Sequence, residues 1–179
     1  MLKRCLLTLL MISFSNVAWT EMAPKLTVHD AKGQSIELPR QQEGADVYLF
    51  WASWCRFCKI VMPEIDEVSS GYGDDVTVLA FQIRDEDVAD AEAFISQLGY
   101  NFEVIPAADE MMEPFGVQGT PGLFVVDSEG RISGNLIMEM MKSAPEDFKD
   151  MDAEAKTSWV TENTRKLLEQ ALDVALVQT

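Results

Sequence analysis

The chain has 179 residues, of which 47% are hydrophobic, and its 14 basic and 30 acidic side chains give a formal net charge of −16. The length fits one domain with added segments, and the hydrophobic fraction excludes wholesale disorder. The acidic excess argues against a nucleic-acid partner, because affinity for phosphates comes from lysine and arginine. A single histidine also excludes a site built from several imidazoles.

The first twenty residues have the pattern of a secretory signal peptide. Two basic residues precede an apolar stretch that is shorter than the about 20 residues needed to span a membrane. No Ala-x-Ala cleavage site is present, so an uncleaved membrane anchor stays open as the alternative. Cleavage of 1–20 would remove Cys5 and leave Cys55 and Cys58 in the mature chain 21–179. Export would place that chain in the periplasm, where disulfides persist.

Apolar periodicity predicts the elements of a single α/β domain in residues 21–179. In chain order these are a hairpin at 26–28 and 35–38, a buried strand at 46–51, a helix at 55–70, a buried strand at 76–83, a helix at 87–98, a strand at 102–105, helical turns at 109–115, strands at 123–126 and 131–137, and, after an acidic segment, a final helix at 155–177. This order predicts a mixed central sheet with helices on both faces.

The stretch WASWCRFCK at 51–59 carries the chemistry. A Cys-x-x-Cys directly after a buried strand places Cys55 at a helix N-terminus, where free N–H groups and the helix dipole stabilise a thiolate. Cys58 lies one turn further on the same face, close enough for a disulfide. Arg56 and Lys59 add positive charge that favours the thiolate. The pattern predicts an exposed attacking thiolate and a sheltered resolving thiol, as exchange through a mixed disulfide requires.

Two other kinds of site can contain such a cysteine pair. Zinc normally needs four ligands, and the mature chain adds only His29, which lies well upstream. A purely structural disulfide within a four-residue loop would constrain the unfolded chain little. The pattern therefore favours a redox-active disulfide with no metal and no other cofactor.

The sequence resembles the thioredoxin-like superfamily, in particular its exported TlpA/ResA-like branch. The resemblance rests on WASWCRFCK, on Pro63 in the helix that follows, on Gly-Thr-Pro at 119–121 and on GLFVVDSEGRI at 122–132. It covers residues 26–137 and is weak beyond them. It implies a thioredoxin-like fold and a periplasmic thiol-disulfide oxidoreductase.

Carried over residue by residue, the resemblance implies that Cys55 is the nucleophile and Cys58 the resolving cysteine. Pro121 is then a cis-proline that faces the disulfide, Thr120 pairs its backbone with an extended substrate, and Trp54 flanks the nucleophile at the surface. The implied substrates are exported proteins with disulfides or dithiols, and the implied partner is a membrane-bound electron donor. Reduction is the expected direction, with a dithiol oxidant of the same fold as the alternative.

The residues that assist the buried cysteine in relatives are missing here. The positions of the buried Asp and of the Lys on the next strand in typical thioredoxins correspond to Leu49 and Ala80. The position of a Glu in many ResA-like proteins corresponds to Val61. Glu64 lies nearby in sequence, but helical spacing turns it away, so we expect it to be solvated. No base for Cys58 is assigned.

Methionines raise a second functional class, a copper-binding assembly protein on the same fold. Thioethers suit Cu(I), and five methionines fall in two groups, Met111-Met112 and Met138, Met140 and Met141. Methionine is more often a core filler. Sco-type copper proteins also carry two cysteines separated by three residues and a downstream histidine, a pattern absent from this sequence. The core interpretation is therefore favoured, and we expect the charges at 139–154 to form a solvated face.

Overall fold

The computed structural model of the protein describes residues 21–85 and 91–177, so the predicted signal peptide lies outside the described residues. The strands are β1 (Glu21–Met22), β2 (Leu26–His29), β3 (Ser35–Leu38), β4 (Ala45–Trp51), β5 (Val76–Gln82), β6 (Phe102–Ile105), β7 (Gly122–Val126) and β8 (Arg131–Ile132). The α-helices are α1 (Arg56–Gly71), α2 (Ala91–Gln97), α3 (Leu136–Lys142) and α4 (Ala153–Val177). Within the two described ranges, none of the helices combines the length and the apolar character that a membrane crossing requires.

Six strands form a mixed sheet in the order β1-β8-β7-β4-β5-β6. The long strand β4 is parallel to β5 on one side and antiparallel to β7 on the other, and β6 continues the parallel half. β2 and β3 pair antiparallel as a separate hairpin. This arrangement confirms the predicted mixed central sheet and N-terminal hairpin.

The sheet is covered on both faces, so every residue of β4 is buried. Alternate side chains of a strand point to opposite faces, and Leu49 and Trp51 accordingly join one apolar cluster while Tyr48 and Phe50 join the other. Residues of all four α-helices complete the first cluster. The β2–β3 hairpin and the segment 105–117 cover the second, and the helical turns predicted at 109–115 are present as a 3-10 turn at Asp109–Met111.

The chain after β8 is helical, although the apolar pattern predicts a strand at 131–137. β8 ends at Ile132, and α3 begins at Leu136. The Asn135 side-chain oxygen caps α3 by accepting hydrogen bonds from Ile137 N at 3.1 Å and Met138 N at 3.5 Å. The strand prediction is wrong at this point because the spacing of a short apolar run does not separate a strand from a helix.

The structure differs from the sequence prediction at two further places. The predicted helix at 87–98 is present as α2 from Ala91 onward, and residues 87–90 lie outside the described residues. β1 has only two exposed residues and no strand pattern of its own. It adopts strand conformation by pairing with β8, a long-range contact that no local pattern reports.

The final helix packs along α1 and is joined to it by an ion-paired arginine. Leu168 and Leu172 bury the apolar face of α4, and Arg165 Nη2 lies 2.7 Å from both Glu64 Oε2 and Glu67 Oε2. The Arg165 guanidinium lowers the pKa of the Glu67 carboxyl. The Glu64 side chain is only 18% exposed. The expectation of a solvated Glu64 is therefore wrong, because α4 brings a guanidinium to the face of α1 that carries this carboxylate.

A glycine turn before β4 provides a test of the packing. Gly44 has φ of +90°, and a Cβ there would collide with the backbone carbonyl of Asp75; Gly33, with φ of +79°, has nothing within 4 Å of such a Cβ. We predict that Gly44→Ala lowers the free energy of unfolding by about 3 kcal/mol or more and Gly33→Ala by about 1 kcal/mol, because only the first adds a collision to the cost of positive φ. Chemical denaturation measures both values, and equal losses would contradict the collision argument.

Candidate active site

Three strand ends meet where the cysteines lie. β4 ends at Trp51, beside Gln82 at the end of β5. β7 begins at Gly122, which pairs with Phe50. β4 and β7 are antiparallel, so the C-terminal end of β4 lies beside the N-terminal end of β7. The loop after Trp51 and the loop before Gly122 therefore leave the sheet at the same end of the strands. The sheet therefore brings the Cys-x-x-Cys loop and the Pro121 loop together.

Cys55 and Cys58 form a disulfide with their Cα atoms 5.3 Å apart. Cys55 is the N-cap of α1, and its sulfur accepts a hydrogen bond from Cys58 N at 3.0 Å. The Cys55 N–H donates to Ala52 O at 3.0 Å and closes the turn between β4 and the helix. The first turn of α1 carries no acidic residue. The positive end of the helix dipole is thus available to favour an anionic sulfur when the bond is reduced.

The two cysteines are more buried than the sequence suggests. Cys55 is 4% exposed and Cys58 is fully buried. The order of accessibility agrees with an attacking and a resolving cysteine, but the expectation of an exposed Cys55 is wrong. In the disulfide form its sulfur accepts the hydrogen bond from Cys58 N, and Cys55 joins the same apolar cluster as Cys58.

The loop before the cysteines is tied to the loop after β5. Ser53 N donates to Asp85 Oδ2 at 2.6 Å, and Trp54 Nε1 donates to Arg84 O at 2.7 Å. Arg84 has a positive φ of 51°, and its own N–H donates to Asp109 Oδ1 at 2.9 Å. These contacts hold the Trp54 ring at the surface, 59% exposed. Sequence reasoning missed Asp85, whose only signal is its position three residues after the buried strand β5.

The Thr120–Pro121 peptide bond is cis, as the resemblance implies. Pro121 is buried and Thr120 is half-buried. Because Gly122 pairs with Phe50, the same register places Pro121 at the level of Trp51, just before the cysteine motif. Thr120 lies two residues before β7, which begins at Gly122.

Both basic residues of the motif are exposed on the first turn of α1. Lys59 Nζ lies 5.5 Å from the ring centroid of Phe94, and that ring stacks on Trp51. A cation–π contact therefore partly engages the Lys59 ammonium. Arg56 is the better placed of the two to act by charge on the Cys55 sulfur.

Apolar side chains occupy the three positions at which the resemblance implies assisting polar groups. Leu49, Ala80 and Val61 are fully buried in the cluster that contains Cys58. Glu64, the nearest carboxylate along the helix, is bound to Arg165 instead. The environment of Cys58 is therefore apolar at all three positions.

The methionines divide between the core and the surface. Met111 and Met140 are buried and Met112 packs against the core, as the core interpretation predicts. For Met138 and Met141 that interpretation is wrong, because both lie on the exposed face of α3. Within residues 21–85 and 91–177, no group of three or more His, Cys, Asp and Glu side chains is arranged to hold a metal ion.

A buried strand that leads into a Cys-x-x-Cys disulfide at a helix N-terminus, beside a cis-proline loop, defines a thiol-disulfide oxidoreductase of the thioredoxin fold. The AhpC/TSA family model matches residues 19–134. The chain is 31% identical over 129 residues to the thiol-disulfide oxidoreductase ResA of Bacillus anthracis, which covers 70% of this chain and 73% of the relative. It is 26% identical over 139 residues to ResA of Bacillus subtilis strain 168, covering 76% of each.

Solved structures agree on the fold. A thiol:disulfide interchange protein of Chlorobium tepidum TLS superposes with a TM-score of 0.60 at 18% identity, over 84% of this chain and 95% of that one. The chain therefore belongs to the AhpC/TSA family, among its thiol-disulfide oxidoreductases. The family match ends at residue 134, so α3 and α4 lie beyond it.

The role of charge at Cys55 can be measured in the Cys58→Ser background, which leaves one thiol in the site. We predict that Arg56→Gln raises the pKa of the Cys55 thiol, because it removes a positive charge that favours the thiolate. Lys59→Gln is the matched control and should raise it less, since that ammonium lies against Phe94. The pH dependence of thiolate absorbance reports both values. Equal shifts in the two variants, or none for Arg56→Gln, would contradict this assignment.

Proposed function

We propose that the protein is an exported enzyme that reduces disulfides in other exported proteins. The observation that carries this proposal is the Cys55–Cys58 disulfide with the Cys55 sulfur at the N-cap of α1. A pair held there can change between disulfide and dithiol within the same helix turn. The similarity to proteins named thiol-disulfide oxidoreductase ResA supports the reaction type, and the signal-like pattern at 1–20 supports export to the periplasm, with an uncleaved anchor as the alternative.

The reaction proceeds by two exchanges. The Cys55 thiolate attacks one sulfur of the substrate disulfide, so that a Cys55–substrate bond forms while the substrate's own S–S bond breaks. Cys58 then attacks the Cys55 sulfur, the Cys55–Cys58 bond forms, and the second substrate sulfur departs. Two electrons pass from the enzyme to the substrate. The substrate also takes up two protons, one from Cys58 and one from solvent.

The departing substrate sulfur is the base that we assign to Cys58. Leu49, Ala80 and Val61 offer no proton acceptor around this thiol. The first exchange, however, releases a thiolate next to the disulfide at the moment when Cys58 must lose its proton. Transfer of that proton to the departing sulfur completes one substrate thiol and activates Cys58 for the second exchange.

The substrate lies across the edge of the sheet in this proposal. An extended segment pairs with the backbone of Thr120, two residues before β7. Pro121 then lies beneath the substrate cysteine, and Trp54 borders it on the solvent side. Each turnover leaves the enzyme as a disulfide, so a membrane-bound dithiol donor must return two electrons and two protons by the same exchange in reverse.

The division of labour between the cysteines predicts which variant accumulates a covalent complex. Cys58→Ser should retain the attack by Cys55 and lose the resolving step, so substrate proteins should stay bound through Cys55. Gel analysis of alkylated cell extracts without reductant would reveal these complexes, which added dithiothreitol should dissolve. Cys55→Ser is the matched control and should give none. Complexes in Cys55→Ser alone, or none in Cys58→Ser from a host in which the wild-type protein is active, would reverse or refute the roles.

The direction of electron flow predicts a reduction potential more negative than about −180 mV, the value of protein disulfide isomerase. Equilibration with glutathione buffers and mass analysis of the trapped thiols measure it. Arg56→Gln should make the potential more negative still, because it removes a charge that stabilises the reduced, thiolate form. A wild-type value near about −120 mV, as in the strong oxidant DsbA, would contradict the reductant and favour the dithiol-oxidant alternative.

A further inference from the structure

An apolar groove of about 330 Å³ opens between the first turns of α1 and α4. Phe57 and Ile60 line it from α1, Val160 lines it from α4, and Phe148 closes it from the segment before α4. Its volume lies at the lower end of the range of binding pockets in proteins, about 300 to 1,000 Å³. It therefore has room for a large side chain and its neighbour rather than for a folded domain.

The groove is lined in part by the Cys-x-x-Cys motif. Arg56 and Phe57, which line it, are the two residues between Cys55 and Cys58. A polypeptide joined to the Cys55 sulfur must place the residues near its own cysteine over this part of the surface. Two of the residues that line the groove thus lie next to the reactive cysteines in the chain.

Segments beyond the family match form the far wall and are held firmly in place. The match ends at residue 134. Arg165 ties α4 to α1 through Glu64 and Glu67, and the Phe148 ring packs edge-on against Trp159 with centroids 5.0 Å apart. The groove is therefore a built feature of the fold that the family segment alone does not supply.

The charges that line the groove are all positive, in a chain with a net charge of −16. Arg56 and Lys156 line it, and none of the lining residues is acidic. Lys156 Nζ donates to Lys149 O at 2.8 Å, which fixes the ammonium near the start of α4. Such a lining favours an apolar side chain with a carboxylate next to it, and disfavours a basic neighbour.

We propose that this groove binds the substrate segment adjoining the reactive cysteine and selects a large apolar side chain accompanied by an acidic residue. This inference rests on the proposed function, because it assigns the substrate preference of the same cysteine pair. The groove then provides local complementarity that offsets the repulsion between an acidic enzyme and an acidic segment.

Symmetrical disulfides of short blocked peptides test the proposal, since attack on either sulfur gives the same products. Four peptides carry Glu-Phe, Ser-Phe, Lys-Phe or Glu-Ser before the cysteine, and hydroxyethyl disulfide reports the chemistry without a side chain to bind. We expect reduced wild-type enzyme to react with the Glu-Phe peptide about tenfold faster than with the Glu-Ser peptide, as burial of one aromatic ring allows. The Lys-Phe peptide should be the slowest of the three phenylalanine peptides.

Variants on α4 separate the groove from the cysteines. Ala153→Trp places a ring in the groove and should abolish the preference for phenylalanine, whereas Ala155→Trp, at an exposed position outside it, should preserve the preference. Lys156→Glu should reverse the order of the Glu-Phe and Lys-Phe peptides, whereas Lys166→Glu, exposed further along α4, should not. Rates with hydroxyethyl disulfide check that each variant keeps its reactive thiol.

The outcomes distinguish the two proposals. If wild-type enzyme reduces hydroxyethyl disulfide but all four peptides react at similar rates, the groove proposal is wrong and the proposed function stands. If wild-type enzyme reduces no disulfide, the proposed function fails and this inference fails with it. If sedimentation shows a wild-type dimer that Ala153→Trp converts to a monomer, the groove is an interface between copies and the proposal is overturned.

Discussion

The hydrogen bond from Cys58 N to the Cys55 sulfur is the interaction on which the site depends. It makes the reactive sulfur part of the helix start, so the position of the sulfur is fixed by the same contacts that fix α1. Those contacts begin with β4, whose seven buried residues place the end of the strand between β5 and β7. Burial of a central strand thus positions a chemical group that lies four residues beyond it.

The structure around this site combines segments inside the family match with segments beyond it. The family segment supplies the sheet, α1 and the cis-proline loop, whereas α3 and α4 come from the chain beyond residue 134. The segments beyond the match also change the contacts of α1, which lies inside it. Arg165 holds Glu64, the carboxylate that follows Cys58 most closely along α1, in an ion pair with α4. The same helix contributes the far wall of the groove at Arg56 and Phe57.

The sequence pattern predicted the elements that are determined by residues close together in the chain. The continuous apolar run of β4, the helical spacing of α1 and the Cys-x-x-Cys between them predicted the central element and the disulfide. Contacts distant in sequence were not predictable in this way: β1 depends on β8, Glu64 depends on Arg165, and the link from Ser53 to Asp85 joins two loops. The helix α3 was missed for another reason, since its seven residues are too few for their periodicity to be distinctive.

The apolar surroundings of Cys58 also set a lifetime. Because a thiol among Leu49, Ala80 and Val61 gives up its proton reluctantly, we expect the second exchange to be slower than the first. In the proposed reaction the mixed disulfide between Cys55 and the substrate then persists until Cys58 loses its proton. While the mixed disulfide lasts, the substrate chain can rearrange with one of its cysteines protected from other thiols. The apolar packing around Cys58 therefore influences how soon the substrate is released.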